Sequence, residues 1–148
     1  MKVYSKNKRA KFDYELMDKY VAGISLLGTE VKSIKSGNSD LTGSYIFIDS
    51  NNNAQWINGY IKKYEFQTQG THEEKRTRQL LLNKKEIKKL KDETQLKRNT
   101  IVPYAILGDK KGIIKLEIFV AKGKNKADKR ESIKERDSKR ESKRYYGY

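Results

Sequence analysis

The chain has 148 residues, with 34 Lys and Arg against 19 Asp and Glu, and a net charge of +15. An excess of that size points to a polyanionic partner. The lack of cysteine and the single histidine, His72, exclude disulfides, zinc ribbons and sites needing two imidazoles, and with no apolar run of about 18 residues and no apolar signal segment, a cytoplasmic, membrane-free location is expected.

Tyr14 to Leu27 reads as a long first strand, bent near Gly23. Thr29 is placed to cap a short helix that buries Val31 and Ile34, exposes Lys32 and Lys35, and stops at Gly37, since glycine best takes the left-handed conformation after a helix. Ser44 to Asp49 and Ala54 to Tyr64 read as a hairpin turned by Ser50-Asn51-Asn52-Asn53. Arg76 and Arg78 alternate outward from a strand-like stretch, which makes them candidates for phosphate contact, with a solvated face as the alternative. His72 in the preceding loop is a weak candidate for stacking on a base.

Asn83 and Glu86 have the spacing of a capping box, opening a helix whose apolar positions include Ile87 and Leu90. Thr100 to Leu107 then pairs across Gly108-Asp109-Lys110-Lys111-Gly112 with a strand in which Ile114, Leu116, Ile118 and Val120 alternate with Lys115 and Glu117. Pro103 places the first of these strands at an edge or a bulge, because proline donates nothing to a ladder. No repeat or linker divides the chain. The expected fold is mainly β, an antiparallel OB-like barrel over residues 1–125 with two or three short flanking helices.

Residues 126–148 are expected to form a separate basic C-terminal tail. They hold one large aliphatic side chain, Ile133, too little apolar surface to offset the entropy of ordering. On a helix, Lys129, Arg136, Lys139, Arg140, Lys143 and Arg144 fall within an arc of about 140°, with Asp128, Glu131 and Glu135 opposite. Like charges at i,i+4 repel until a polyanion neutralises them. The tail is therefore expected to be disordered when free and helical on nucleic acid, reaching about 30 Å, with Tyr145 and Tyr146 available to stack on bases.

Identity enters through short strings. Asn7-Lys8-Arg9-Ala10, Ala22-Gly23-Ile24, Gly28-Thr29-Glu30-Val31-Lys32-Ser33, Arg76-Thr77-Arg78-Gln79-Leu80-Leu81-Leu82, Ala121-Lys122-Gly123-Lys124 and Asp128-Lys129-Arg130 resemble, in order and spacing, the small protein B family of bacterial tmRNA-binding (SsrA-binding) proteins. The resemblance runs from about Lys6 to Arg140. It implies a monomeric, non-catalytic RNA-binding protein of trans-translation, without metal or cofactor. Its partners would be the tRNA-like domain of tmRNA and the decoding centre and 16S rRNA of the 70S ribosome.

Carried over by position, the resemblance implies tmRNA contacts at Asn7, Lys8, Arg9, Lys32, Arg76, Arg78, Leu81, Lys122 and Lys124. It implies ribosome contacts at Asp128, Lys129, Arg130, Lys134, Arg136, Lys139, Arg140, Lys143, Arg144, Tyr145 and Tyr146. From residue chemistry alone Asn7 also reads as a turn former and Leu81 as a core residue, while Glu30 reads as a first-turn charge that complements the helix dipole. Two positions depart from the family pattern: Val21 stands where a Glu is common before Ala-Gly, and Ala127 where His or Tyr often precedes the Asp-Lys-Arg string.

Two other readings stay open. A general single-strand-binding OB-like module would also be basic. An RNA-processing enzyme using Glu73 and Glu74 beside His72 is disfavoured, because adjacent residues on an extended segment face opposite ways.

Overall fold

Alternation of apolar and polar residues builds most of this molecule, and the register of its longest strands shows where the pattern holds. The computed structural model describes residues 1–64 and 72–123. Its strands are β1 (Lys2–Lys6), β2 (Tyr14–Ile24), β3 (Ser39–Asp40), β4 (Tyr45–Ile48), β5 (Ala54–Ile57), β6 (Tyr60–Ile61), β7 (Arg78–Leu81), β8 (Thr100–Gly108) and β9 (Ile114–Gly123). The helices are α1 (Ala10–Asp13), α2 (Gly28–Lys35) and α3 (Lys84–Gln95). The strands form a seven-stranded antiparallel sheet in the order β1-β8-β9-β2-β7-β5-β4 and a β3-β6 ribbon. The sheet curls so that β4 approaches β8 and β1 approaches β3. This is the OB-like, mainly β arrangement expected, with no ladder joining β1 to β4 among the described residues.

In β9, Ile114, Leu116, Ile118 and Val120 all point into the core, with Lys115 and Glu117 half-buried on the other face. β8 is buried on both faces: Ile101 and Ile106 enter the main core, while Val102, Tyr104 and Leu107 pack in a second cluster with Ala10 and Ala121. A strand covered on both sides has no polar face to show, which explains its continuous apolar run. Pro103 marks a bulge, as expected, since the β8–β9 register shifts between Pro103 and Ala105. It does not mark a sheet edge, because β1 covers the outer side of β8.

The first strand is β1 rather than β2, and the short Lys-Val-Tyr-Ser-Lys segment carries no alternation that would reveal it. The irregularity of β2 falls between Leu16 and Lys19, not at Gly23. Gly23 is instead where β2 acquires β7 as a second neighbour, paired with Leu81 on one side and Lys115 on the other. The Ala54 to Tyr64 stretch breaks into β5 and β6 at Asn58, which takes φ 64°, and Gly59.

Capping chemistry was legible in two helices of three. Asn83 Oδ1 accepts the Glu86 N–H at 2.8 Å and Glu86 Oε1 accepts the Asn83 N–H at 3.2 Å, the reciprocal box that opens α3. α2 ends at Gly37 with φ 81°, where the Gly37 and Asn38 N–H groups donate to the Ile34 and Ser33 carbonyls. The start of α2 differs from expectation, because Thr29 lies inside the first turn and Leu27 holds the cap position. No helix among the described residues is long and apolar enough to cross a membrane.

Trp56, fully buried, closes the core over Gly59, where an added Cβ would collide with indole atoms Cζ2 and Cε2. Gly59→Ala is therefore expected to destabilise the fold by about 1–3 kcal/mol through overpacking. Gly28→Ala, where a Cβ meets nothing within 4 Å, should shift stability by less than about 0.5 kcal/mol. Urea denaturation midpoints of the two variants check the contrast.

Candidate nucleic-acid interface

The sequence-derived candidates separate into two groups at opposite ends of β2. Tyr14 and Glu15 pair with Gly123 and Lys122 at one end, and Gly23 pairs with Leu81 at the other. At about 3.3 Å per residue the two ends are roughly 30 Å apart along the strand.

At the first end, the turn from β1 into α1 is held by Asn7. Its Nδ2 donates to the Pro103 carbonyl at 3.2 Å, its Oδ1 accepts the Arg9 N–H at 3.3 Å, and its own N–H donates to the Tyr104 carbonyl at 2.6 Å. The amide thus fastens the turn to the β8 bulge, the turn-forming role open from the sequence. Lys6 and Lys11 place their Nζ atoms 5.3 and 5.9 Å from the Tyr104 ring, and that ring meets Phe119 edge-on at 5.1 Å. Two cations are thereby gathered on one aromatic anchor. Lys8 is exposed, and Arg9 is half-buried with its Nε 4.0 Å from Asp13.

Beside this turn lies a cleft of about 670 Å³ lined by Asn7, Arg9, Tyr14, Ser44, Tyr45 and Gly123, among others. Lys122, exposed, immediately precedes Gly123. Asn7, Lys8, Arg9 and Lys122 therefore belong to one end of the barrel, the end at which β9 finishes. Lys124 and every tail residue named above, Asp128 through Tyr146, lie outside the described residues.

The second end is organised by Glu30, which is fully buried. Its Oε1 accepts from Arg76 Nη2 at 2.6 Å and from the Leu27 N–H at 2.9 Å, and its Oε2 accepts from Arg78 Nε at 2.5 Å. Arg78 is also fully buried, donates to the carbonyls of Gly59 at 2.7 Å and Glu74 at 3.1 Å, and lies 5.2 Å from the Trp56 ring centroid. The outward orientation expected of Arg78 is thus incorrect. A carboxylate carried inward by the first turn of α2 demands cationic partners, and β7 supplies one from its inner face. Arg76, about one-third exposed, turns to the same carboxylate and also donates to the Ser25 carbonyl at 3.2 Å.

Burial pushes the Glu30 carboxyl upward, but the hydrogen bonds from Arg76, Leu27 and Arg78 prevail and hold it below its ordinary value of 4.5. For Arg78, burial prevails over the attraction of Glu30 and holds its guanidinium below its ordinary value.

His72 lies in an irregular segment, as expected, but is buried. In the neutral ring its Nε2–H donates to the Ile61 carbonyl at 2.8 Å, which leaves Nδ1 to accept from the Thr29 hydroxyl at 2.9 Å. Both nitrogens are engaged, and the residue is only 3% exposed, so it has no face to offer a base. Lys32 is exposed, with Nζ 5.3 Å from the Tyr64 ring.

Leu81 is not a core residue. Leu80 takes the inward position of β7 and Leu81 is 58% exposed, because strand side chains alternate and three consecutive leucines cannot all face one way. Leu81 covers Gly23, where a Cβ would stand 3.2 Å from its own. Val21 is also exposed on β2 and pairs across the ladder with Glu117. The position where the family pattern has a carboxylate thus points to solvent, with another carboxylate directly opposite. What sequence reasoning missed was the convergence on Glu30; the only signal for it was a glutamate in one string and two arginines in another.

The chain matches the family model described as SmpB protein over residues 4–147. It is 49% identical over 135 residues to the SsrA-binding protein of Flavobacterium johnsoniae, covering 91% of this chain and 89% of that one. It is 44% identical over 142 residues to the SsrA-binding protein of Phocaeicola vulgatus, covering 95% and 93%. A solved structure described as "tmRNA-SmpB: a journey to the center of the bacterial ribosome" superposes with a TM-score of 0.69 at 36% identity, covering 86% of this chain and 92% of that one.

Removing the Glu30 charge leaves Arg78 buried without its counter-ion, so Glu30→Gln should cost about 3–5 kcal/mol in chemical denaturation at neutral pH. Because the folded carboxyl titrates below its ordinary value of 4.5, the unfolded chain binds more protons in that range. Its stabilisation is full above that value and is lost as pH falls through the lower folded value. The denaturation midpoint of the parent chain should therefore drop more steeply than that of Glu30→Gln between about pH 5 and 3. Parallel pH profiles would rule out the ionised network.

Proposed function

The chain belongs to the SmpB protein family, and on that premise we propose that it is a non-catalytic RNA-binding protein of trans-translation. It binds the tRNA-like domain of tmRNA and brings it to stalled ribosomes in the cytoplasm, with the tail probing the decoding centre and the empty mRNA channel. The observation that supports this reading most is the agreement between a family match spanning nearly the whole chain and a similar fold in a tmRNA-containing ribosome structure.

The division of labour follows from the chemistry of the two parts. Residues 1–125 provide a preformed surface, suited to folded RNA that is read largely through backbone and 2′-hydroxyl contacts. Arg9 lines the cleft, Lys8 and Lys122 adjoin its lining residues, and Asn7 holds the turn that carries Lys8 and Arg9. At the other end, Lys32 and the exposed part of Arg76 offer charge, and Leu81 offers an aliphatic surface beside them. Arg78 acts through Glu30 as a structural strut and touches no RNA.

Residues 126–148 provide a cationic segment whose ordering requires a polyanionic channel. Message in that channel would compete for the same volume and phosphates. Selection of a vacant channel then needs no catalytic residue.

Deleting residues 129–148 should leave affinity for the tRNA-like domain within about threefold while abolishing tagging of stalled products; a large loss of RNA affinity would overturn the division. If the barrel neutralises about six phosphates, the logarithm of its affinity should fall against the logarithm of salt concentration with a slope of roughly 4 to 5. A general single-strand module would instead prefer an unstructured oligonucleotide of equal length to the tRNA-like domain. Direct competition between these two RNAs decides between the readings.

A further inference from the structure

Lysines crowd the first part of α3 at positions 84, 85, 88, 89 and 91. On a helix Lys84, Lys88 and Lys91 share one face. Ile87 and Leu90 turn to the core, Glu86 and Glu93 fall on the other flank, and Asp92 alone borders the lysines. Glu93 is occupied by Lys97 and Asn99, each at 2.9 Å. Lys84 and Lys88 pair with no carboxylate among the described residues, and at i,i+4 they repel each other.

The β4–β5 turn faces these lysines. Asp49 Oδ1 accepts the N–H groups of Asn51 and Asn53 at 2.9 and 3.0 Å, and Asn52 is held at φ 63°. The turn is thereby braced. Asp49 lies within electrostatic reach of Lys91, and its Oδ1 is committed to the turn's own backbone. Asn52 Oδ1 accepts from Lys91 Nζ at 2.8 Å, which joins the turn to the helix. Between them runs a groove of about 690 Å³ lined by Asn51, Asn52, Lys84, Ile87, Lys88 and Lys91.

We propose that this groove docks the sugar–phosphate backbone of an A-form RNA helix, as a second RNA contact separate from the cleft at Asn7 and Gly123. The choice of RNA rests on the function proposed above. From Lys84 to Lys91 the cations extend about 10 Å along the helix axis, enough to meet successive phosphates of one strand. The Asn51 and Asn52 amides lie where they can reach sugar hydroxyls. A membrane surface fits poorly, since interfacial helices present an apolar face to lipid and α3 keeps its own face in the core. The contact is to backbone alone, so it is independent of base sequence.

The test titrates the full chain and its Lys84→Gln/Lys88→Gln/Lys91→Gln variant with a blunt RNA duplex of about 16 base pairs and with the tRNA-like domain of tmRNA, at several salt concentrations. For the duplex, the triple variant should lose about tenfold or more in affinity at about 0.1 M salt, equally for unrelated sequences, and its salt slope should shrink by about 2 to 3. Lys88→Gln alone should shrink the slope by about 1. Lys110→Gln/Lys111→Gln, in the β8–β9 turn, should change neither quantity. A cooperative thermal transition in each variant establishes that it folds, the relief of like-charge repulsion being set against the loss of the Lys91–Asn52 hydrogen bond.

Unchanged duplex affinity and slope in the triple variant would overturn the proposal, as would polyglutamate competing as well as the duplex. If the parent binds the duplex in this lysine-dependent way yet shows no preference for the tRNA-like domain, the proposed function fails while the groove assignment stands.

Discussion

A single buried carboxylate ties together the segments that meet at the β7 end of β2. Glu30 enters from the first turn of α2 and binds the backbone at Leu27, Arg76 ahead of β7 and Arg78 within it. Through Arg78 the same network reaches the Gly59 carbonyl at the β5–β6 break and the Glu74 carbonyl before β7. Three segments far apart in sequence are thereby tied to one charge. Such a network gives little net stability against a well-packed apolar alternative, but breaking one partner strands the others, so it enforces one arrangement of its segments.

That arrangement decides what remains for RNA. With Arg78 consumed inside and Arg76 turned to the same acid, the exposed cations left among the candidate residues described are Lys32 on the outer side of α2, Lys8 after β1, and Lys122 near the end of β9. Several other lysines rest against aromatic rings, as Lys6 and Lys11 do at Tyr104. A large net positive charge is thus divided between structural use and display, and composition alone does not say which arginine serves which.

The spine for this division is β2. One end lies beside Gly123 at the cleft, and the other receives β7 and its exposed Leu81. α3, against β8 and the β4–β5 turn, carries its own lysine face. Basic character is therefore spread over several surfaces, as suits a protein that bridges large RNAs, where sequence-independent backbone contacts set position and a few other groups set identity.

Where a structural signal is local, the sequence alone determined it: the Asn83–Glu86 box, Gly37 after α2, the Gly108 to Gly112 turn and the alternation of β9 each depend on residues within a few positions of one another. The family resemblance was legible for a similar reason, since ordered short strings survive without knowledge of their contacts. Only tertiary structure could decide that Leu80 points inward and Leu81 outward, that Thr29 and His72 bond to each other across the fold, and that Arg78 is a buried strut. Each of those outcomes turns on which distant segment covers a given face, because burial and ion pairing are properties of neighbours in space and leave no period along the chain.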